Sequence, residues 1–249
     1  MKSGNPVLNE RAFSQAGTYG SSGAMTIQGA VGKSFILLFL AAATALWTWG
    51  QFSNPQSVLN GSLMVWVGGG AIAGFIIAIV TTFKKDWAPV TAPIYAVCEG
   101  VFLGGTSFLF NKAYPGIAVE AVALTFGVFF CLLAAYQAGI IRATPTFVRV
   151  IVLSTLAIGL FYLVSIVAGF FGVQIPLIHS SGGAGIAFSL LVVTVAALNL
   201  VLDFNLIEQA SQEGAPKYME WYSAFALLVT LVWLYIEILR LLSKLSDRK

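Results

Sequence analysis

Seven apolar stretches run in series through this chain, and each comes close to the ~20 residues that a helix needs to cross a bilayer. They extend from Ser34 to Gly50, Leu59 to Phe83, Ala88 to Phe110, Gly116 to Ile141, Val148 to Gly172, Gly183 to Ile207 and Trp221 to Leu239. Hydrocarbon offers no partner to a backbone N–H or C=O, so runs of this length resolve as helices that satisfy their own backbones. Turn signals separate them: Asn54-Pro55, Lys84-Lys85-Asp86, Tyr114-Pro115, Thr144-Pro145, "PLIHSSGG" from Pro176 and "EQASQEGAPK" from Glu208. The chain therefore reads as all-α, a polytopic seven-transmembrane-helix bundle, with residues 31–249 as one domain. Only 9% of its 249 residues are charged, against about 25% in a soluble domain. A surface so poor in charge suits lipid.

The first thirty residues are rich in Gly, Ser, Asn and Gln and read as a flexible polar N-terminal tail, residues 1–30. Where this tail turns apolar, "GAVGKSFILL" from Gly29 to Leu38 ends like a phosphate-binding loop. The full pattern needs a glycine five residues before the Gly-Lys pair and a strand in front of it. Ile27 occupies that position and no strand precedes it. No nucleotide partner is expected, and Lys33 is placed where a membrane helix meets the headgroups. "AAATALW" from Ala41 resembles a signal cleavage site, but its polar leader of about 33 residues is longer than a signal peptide's, so an uncleaved helix is expected.

The net charge of +3 lies in loops and ends and gives no case for nucleic acid. Cys98 and Cys131 fall inside apolar stretches and read as small packing residues, with no disulfide framework and no metal site. The early loops, with Lys33, Lys84, Lys85, Arg142 and Arg149 on one side, place the N-terminus in the cytoplasm. The basic C-terminus, with Arg240, Lys244, Arg248 and Lys249, argues the opposite. A seventh segment that crosses incompletely would satisfy both.

Small residues recur inside the helices, in "GGGAIAG" from Gly68, "EGVFLGG" from Glu99 and "GIAFS" from Gly185. Gly70 with Gly74, and Gly100 with Gly104, are small-xxx-small pairs that let two helix backbones approach.

Charges that persist at membrane depth need a reason, since each costs ~2.5–3.5 kcal/mol on insertion scales. Glu99, near the middle of the third helix, must face the bundle interior or a wet cavity. Asp203 has Asn199 one turn earlier on the same face, so a carboxyl and an amide lie together. Glu237 precedes Arg240 by three residues, a spacing that pairs them along the helix. One reading of Glu99 and Asp203 is structural: hydrogen-bonded carboxyls that tie helices together. The other is an ion-conducting or proton-sensing site, because burial disfavours a carboxylate's charged form and oxygen ligands suit calcium. No enzyme or cofactor is expected. The single histidine, His179, beside Ser180, has no nucleophile-elbow pattern, and no metalloprotease motif is present.

"PIYAVCEGVFLGG" from Pro93, "LVLDFNLIEQ" from Leu200 and "PKYMEWYSAFALLVTLVWLYIEILRLLSKL" from Pro216 resemble the transmembrane Bax inhibitor motif family. The likeness is to its bacterial Bax inhibitor-1/YccA-like branch, and "NPVLNERAF" and "MTIQGAVGKSFILL" near the N-terminus are similar to that branch too. The resemblance implies seven helices with the last helix central, surrounded by the other six, in a bacterial inner membrane. It also implies a pH-sensitive calcium leak and, in one bacterial branch, partnership with a membrane-anchored ATP-dependent protease. Asp203 falls on the family's sixth-helix aspartate, half of a di-aspartyl pH sensor, and Glu99 on the acidic residue of its "EG" motif. Counting back ten residues from Arg240 to the second aspartate reaches Thr230. Two facing carboxylates share a proton and couple their titrations, whereas an aspartate opposite a hydroxyl does not. Glu237 or Glu220 would substitute only if the helix were offset by about two turns.

Three functions follow as expectations. The first is a calcium leak in which Asp203, Glu99, Asn199, Thr230 and Glu237 form the ion pathway and sensor, with Asp203 and Glu99 as weak calcium contacts. The second is a binding modulator of a membrane protease that uses the N-terminal tail as its handle. A transporter ranks below both, because no inverted repeat stands out.

Overall fold

The computed structural model describes residues 23–53, 62–172 and 182–248. They form seven long helices: α1 (Ile27–Phe52), α2 (Ser62–Phe83), α3 (Ala88–Ala113), α4 (Ile117–Gln137), α5 (Pro145–Phe170), α6 (Gly183–Gln212) and α7 (Met219–Ser246). Each is long and apolar enough to span a membrane. His179, Ser180 and the predicted Leu59 boundary lie outside the described residues.

α7 is the central helix. Of its most apolar window 61% is buried, against 11% for α5, the most lipid-exposed helix. It packs against α1, α3, α4 and α6, while α2 lies outside on α3 and α5 lies outside on α6. α5 still reaches the centre through side chains, Tyr162 touching Glu237 and Arg240 of α7. The outward faces carry exposed Phe39, Leu46, Phe75, Leu153 and Leu160, the surface that hydrocarbon covers.

Glycines make the first layer thin. A Cβ at Gly100 would collide with Thr44 and the Ala41 carbonyl of α1, and one at Gly104 with the backbone of Ala45. On the other side of α3, a Cβ at Gly70 of α2 would stand 3.0 Å from the Cys98 carbonyl oxygen. Both small-xxx-small pairs thus serve to seat α3 between α1 and α2 at backbone contact, where dispersion is the available attraction.

Several helices outrun their apolar stretches. α6 continues from Ile207 to Gln212 because Tyr136 of α4 donates to Glu208, which gives that polar turn a partner. It then ends in a Schellman cap: Gly214 takes φ +67, and the N–H groups of Ala215 and Gly214 return to Ala210 and Ser211. α7 also runs past Leu239, carrying Arg240 and Lys244 into the bundle. The seventh segment is long and apolar enough to cross a membrane. At its end, Tyr114 donates to Asp247, and that bond pushes the phenol's pKa up.

Residues 23–30, expected as part of the tail, are packed against the rest of the chain. Ala24 forms an antiparallel bridge with Pro216, the Met25 N–H donates to the Ala215 carbonyl at 2.6 Å, and the Lys217 N–H donates to Gly23 at 2.9 Å. Met25 is buried, and Thr26 caps α1 by accepting from the Gly29 N–H at 3.0 Å. The segment from Gly23 is therefore docked, because the α6–α7 loop supplies its backbone with partners.

Gly104→Val lowers the thermal stability of the detergent-solubilised protein by the equivalent of about 1–3 kcal/mol, the range for overpacking. Gly127→Ala, with open space around the new methyl, does not lower it in the same melting experiment.

Candidate functional site on the central helix

Four buried polar residues of α7 recur every seven positions. Ser223, Thr230, Glu237 and Lys244 are all buried, at 0%, 4%, 2% and 4% exposure. A seven-residue step returns to nearly the same side of an α-helix, so the four make one stripe. From first to last it covers about 32 Å of helix, close to the ~30 Å thickness of a bilayer's hydrocarbon.

α6 runs antiparallel to α7 and answers this stripe. Thr230 Oγ1 donates to Asp203 Oδ2 at 2.6 Å, with Asp203 fully buried. One turn along α6, the Asn199 amide donates to Thr155 Oγ1 of α5 and to its own Val195 carbonyl, both at 2.8 Å. Further on, Lys244 Nζ donates to Ser189 Oγ at 2.8 Å and to the Gly185 carbonyl at 3.0 Å. Between these levels Glu237 accepts from Tyr162 at 2.9 Å and from Arg240 at 3.0 and 3.1 Å. Arg240 also donates to the Tyr162 hydroxyl at 2.6 Å and lies 5.2 Å from its ring centre. The result is a polar seam between α5, α6 and α7, threaded through an otherwise apolar bundle.

The structure thus brings together Asp203 with Thr230, puts Asn199 beside them facing α5, and engages Glu237 with Arg240. Thr230 stands where the second aspartate was sought. Glu237 lies two turns away, about 10 Å along the helix, and Glu220 is committed elsewhere, so neither replaces it. Glu99 does not join the seam. Its carboxyl abuts Gly74 of α2, where a Cβ would come within 2.8 Å of Oε1, and Tyr95 one turn earlier is its polar neighbour. Glu99 and Asp203 therefore occupy different helix interfaces, and among the described residues no three His, Cys, Asp or Glu side chains gather as a metal site.

Thr155, Tyr162, Ser189 and Lys244 belong to the seam and escaped the sequence reading, as did Ser223, which continues the stripe with no hydrogen-bond partner for its buried hydroxyl. The seven-residue spacing on α7 was a usable signal for two of them. The others gave none, because a hydroxyl in a membrane helix can bond its own backbone four residues back, as Thr44 and Thr81 do here.

A second polar cluster closes the near end of α7. Glu220, fully buried, accepts from the Thr26 N–H and Oγ1, each at 3.0 Å, from Lys217 at 3.2 Å and from Lys33. Gly29 sits so close that any side chain there would overlap the carboxylate. The "GAVGKS" stretch is explained by this packing: Gly29 makes room for Glu220 and Lys33 pairs with it. Lys33, expected where a membrane helix meets the headgroups, is paired with Glu220. It lies almost two turns inside α1 with its charge turned inward, 5.6 Å from the Trp221 ring.

Seven spanning helices, one of them a core helix with hydrogen-bonded ionisable groups, define a multi-pass membrane protein with an intramembrane polar site. The profile of the family described as Bax inhibitor 1 like matches residues 5–247, and the chain belongs to that family. No curated protein matches the sequence closely.

Thr230→Val, which keeps shape but removes the donor to Asp203, destabilises the folded protein by about 1–2 kcal/mol, and Thr230→Ser restores most of it in detergent melts. Glu220→Ala removes the acceptor shared by Thr26, Lys217 and the half-buried Lys33 and lowers stability by about 1–3 kcal/mol. Lys217→Ala, at a largely exposed partner, changes it by about 0.5 kcal/mol or less.

Proposed function

We propose that this protein is a calcium leak pathway of a bacterial inner membrane, in which protonation at Asp203 sets whether the α5–α6–α7 seam passes cations. The observation that carries this reading is the Thr230–Asp203 hydrogen bond of 2.6 Å, in the buried middle of a polar stripe as long as the bilayer is thick. A single carboxyl with a hydroxyl partner offers a cation weak, exchangeable ligation, which conduction requires. Thr230 sets a hydroxyl, not a second carboxyl, against Asp203. The position of the basic residues supports a cytoplasmic N-terminus: Arg240 and Lys244 are bonded inside the bundle, and the loop charges fall mainly at the end of α7 where Lys217 lies. The protein acts without enzymatic chemistry or a cofactor.

The second reading, a modulator of a membrane-anchored ATP-dependent protease, draws on the clasp at Glu220. That clasp ties the segment following residues 1–22 to the central helix, so a partner holding the N-terminus would act on α7.

Calcium uptake into proteoliposomes between about pH 5 and pH 8 separates the two. Wild type gives pH-dependent uptake above protein-free vesicles. Asp203→Asn fixes uptake at the level wild type reaches with the carboxyl protonated, and flattens the pH profile. Thr230→Asp, which installs a second carboxyl, broadens the profile into two steps. Folded wild-type protein with no uptake at any pH overturns the leak reading. Loss of cellular function on deleting residues 1–22, with Asp203→Asn harmless, then favours the protease modulator.

A further inference from the structure

We propose that the bundle binds one acyl chain of a membrane lipid in a groove that opens to the bilayer between α1 and α4 and has the central helix as its floor. This site is separate from the seam and does not depend on the ion-leak reading.

α1 and α4 both pack on α7 and on α3, and small residues stand where the two would otherwise meet. Ala42 and Ala45 of α1 and Gly104 of α3 leave a cavity of about 470 Å³, extended along α4 past Val122 and backed by Leu231 and Tyr235 of α7. That volume lies within the ~300–1,000 Å³ of sites that hold small molecules.

The lining is apolar in effect as well as in composition. Ser107 and Tyr235 spend their hydroxyls on each other at 2.6 Å, and Thr125 donates to its own Ala121 carbonyl at 2.7 Å. Apart from these hydroxyls and the Trp49 indole N–H the lining is carbon, and cavities so poor in polar groups stay dry. The occupant must then be hydrocarbon. At the rim, Leu46 and Val119 are each 74% exposed, and Val122 44%. The lipid-facing surface therefore runs into the groove with no polar border to stop a chain entering.

Its depth selects the leaflet. The lining of α1 falls in that helix's second half and the lining of α4 in its first half, both toward the end of the bundle away from Lys33 and Glu220. A lipid of the leaflet at that end reaches the groove with its tail. There the tail packs against Leu228, Leu231 and Tyr235, which lie more than a quarter-turn round α7 from Thr230. A lipid thus presses on the back of the helix that carries the seam.

The test uses the full chain in vesicles of phosphatidylethanolamine and phosphatidylglycerol containing a phospholipid with a photoactivatable diazirine on its acyl chain. Labelled residues are located by peptide mass spectrometry. Labelling is expected at Leu228, Leu231 and Tyr235 of α7 as well as on the outward residues Leu153 and Leu160 of α5. Val122→Trp, or Ala42→Phe as an independent block from an exposed position, reduces the α7 labels about five-fold or more and leaves the α5 labels unchanged. Labels confined to outward faces overturn the proposal, as does α7 labelling that survives both blocks in correctly folded protein. Cross-linking of a second copy of the chain through Val119 and Leu46, with no lipid label on α7, also overturns it and makes the groove a subunit interface.

Discussion

A polar group in hydrocarbon has no partner except another part of the protein, and the architecture around α7 follows from that demand. Ser223, Thr230, Glu237 and Lys244 cannot face lipid, so the helix that bears them must be enclosed. Enclosure requires neighbours with matching groups at matching heights. α6 supplies Asp203, Ser189 and the Gly185 carbonyl, and α5 supplies Tyr162. The antiparallel course of α6 lets one sequence order answer the other in reverse.

The first three helices solve a different problem. They have few polar groups to pair, and lipid competes with protein for every apolar contact, so association depends on how closely backbones approach. Gly70, Gly74, Gly100 and Gly104 reduce that distance on both faces of α3. Glu99 is the exception in this layer, a buried carboxyl set against the glycine of a neighbouring helix. At the end of α7, Glu220 joins the two halves, because its donors come from α1 and from the loop that follows α6.

α7 thus has two unlike sides. One carries Thr230, Glu237 and Lys244, bonded to α5 and α6. The other, with Leu228 and Leu231, borders an apolar groove open to the bilayer. The central helix stands between a hydrogen-bonded seam and an apolar groove.

The fold class was legible because hydropathy over ~20 residues is a direct consequence of bilayer thickness and needs no tertiary information. Asp203, Glu99, Glu237 and Arg240 were legible for a related reason, since a charge inside an apolar run stands out by itself. The Asp203–Thr230 pairing was legible only through the family resemblance, which puts the second position of the pair ten residues before Arg240. What the sequence could not state was which interface each side chain enters. Glu99 and Asp203 look alike in their local sequence, yet one faces α2 and the other α7, because the rotation and order of packed helices decide the direction. Lys33 and the residues from Gly23 look like membrane-edge and tail residues until the α6–α7 loop is brought beside them. By itself the sequence determined seven apolar helices and the few charges that had to be buried. Only the tertiary structure decided their partners, because hydrogen bonds and glycine contacts are set by distances between segments far apart in the chain.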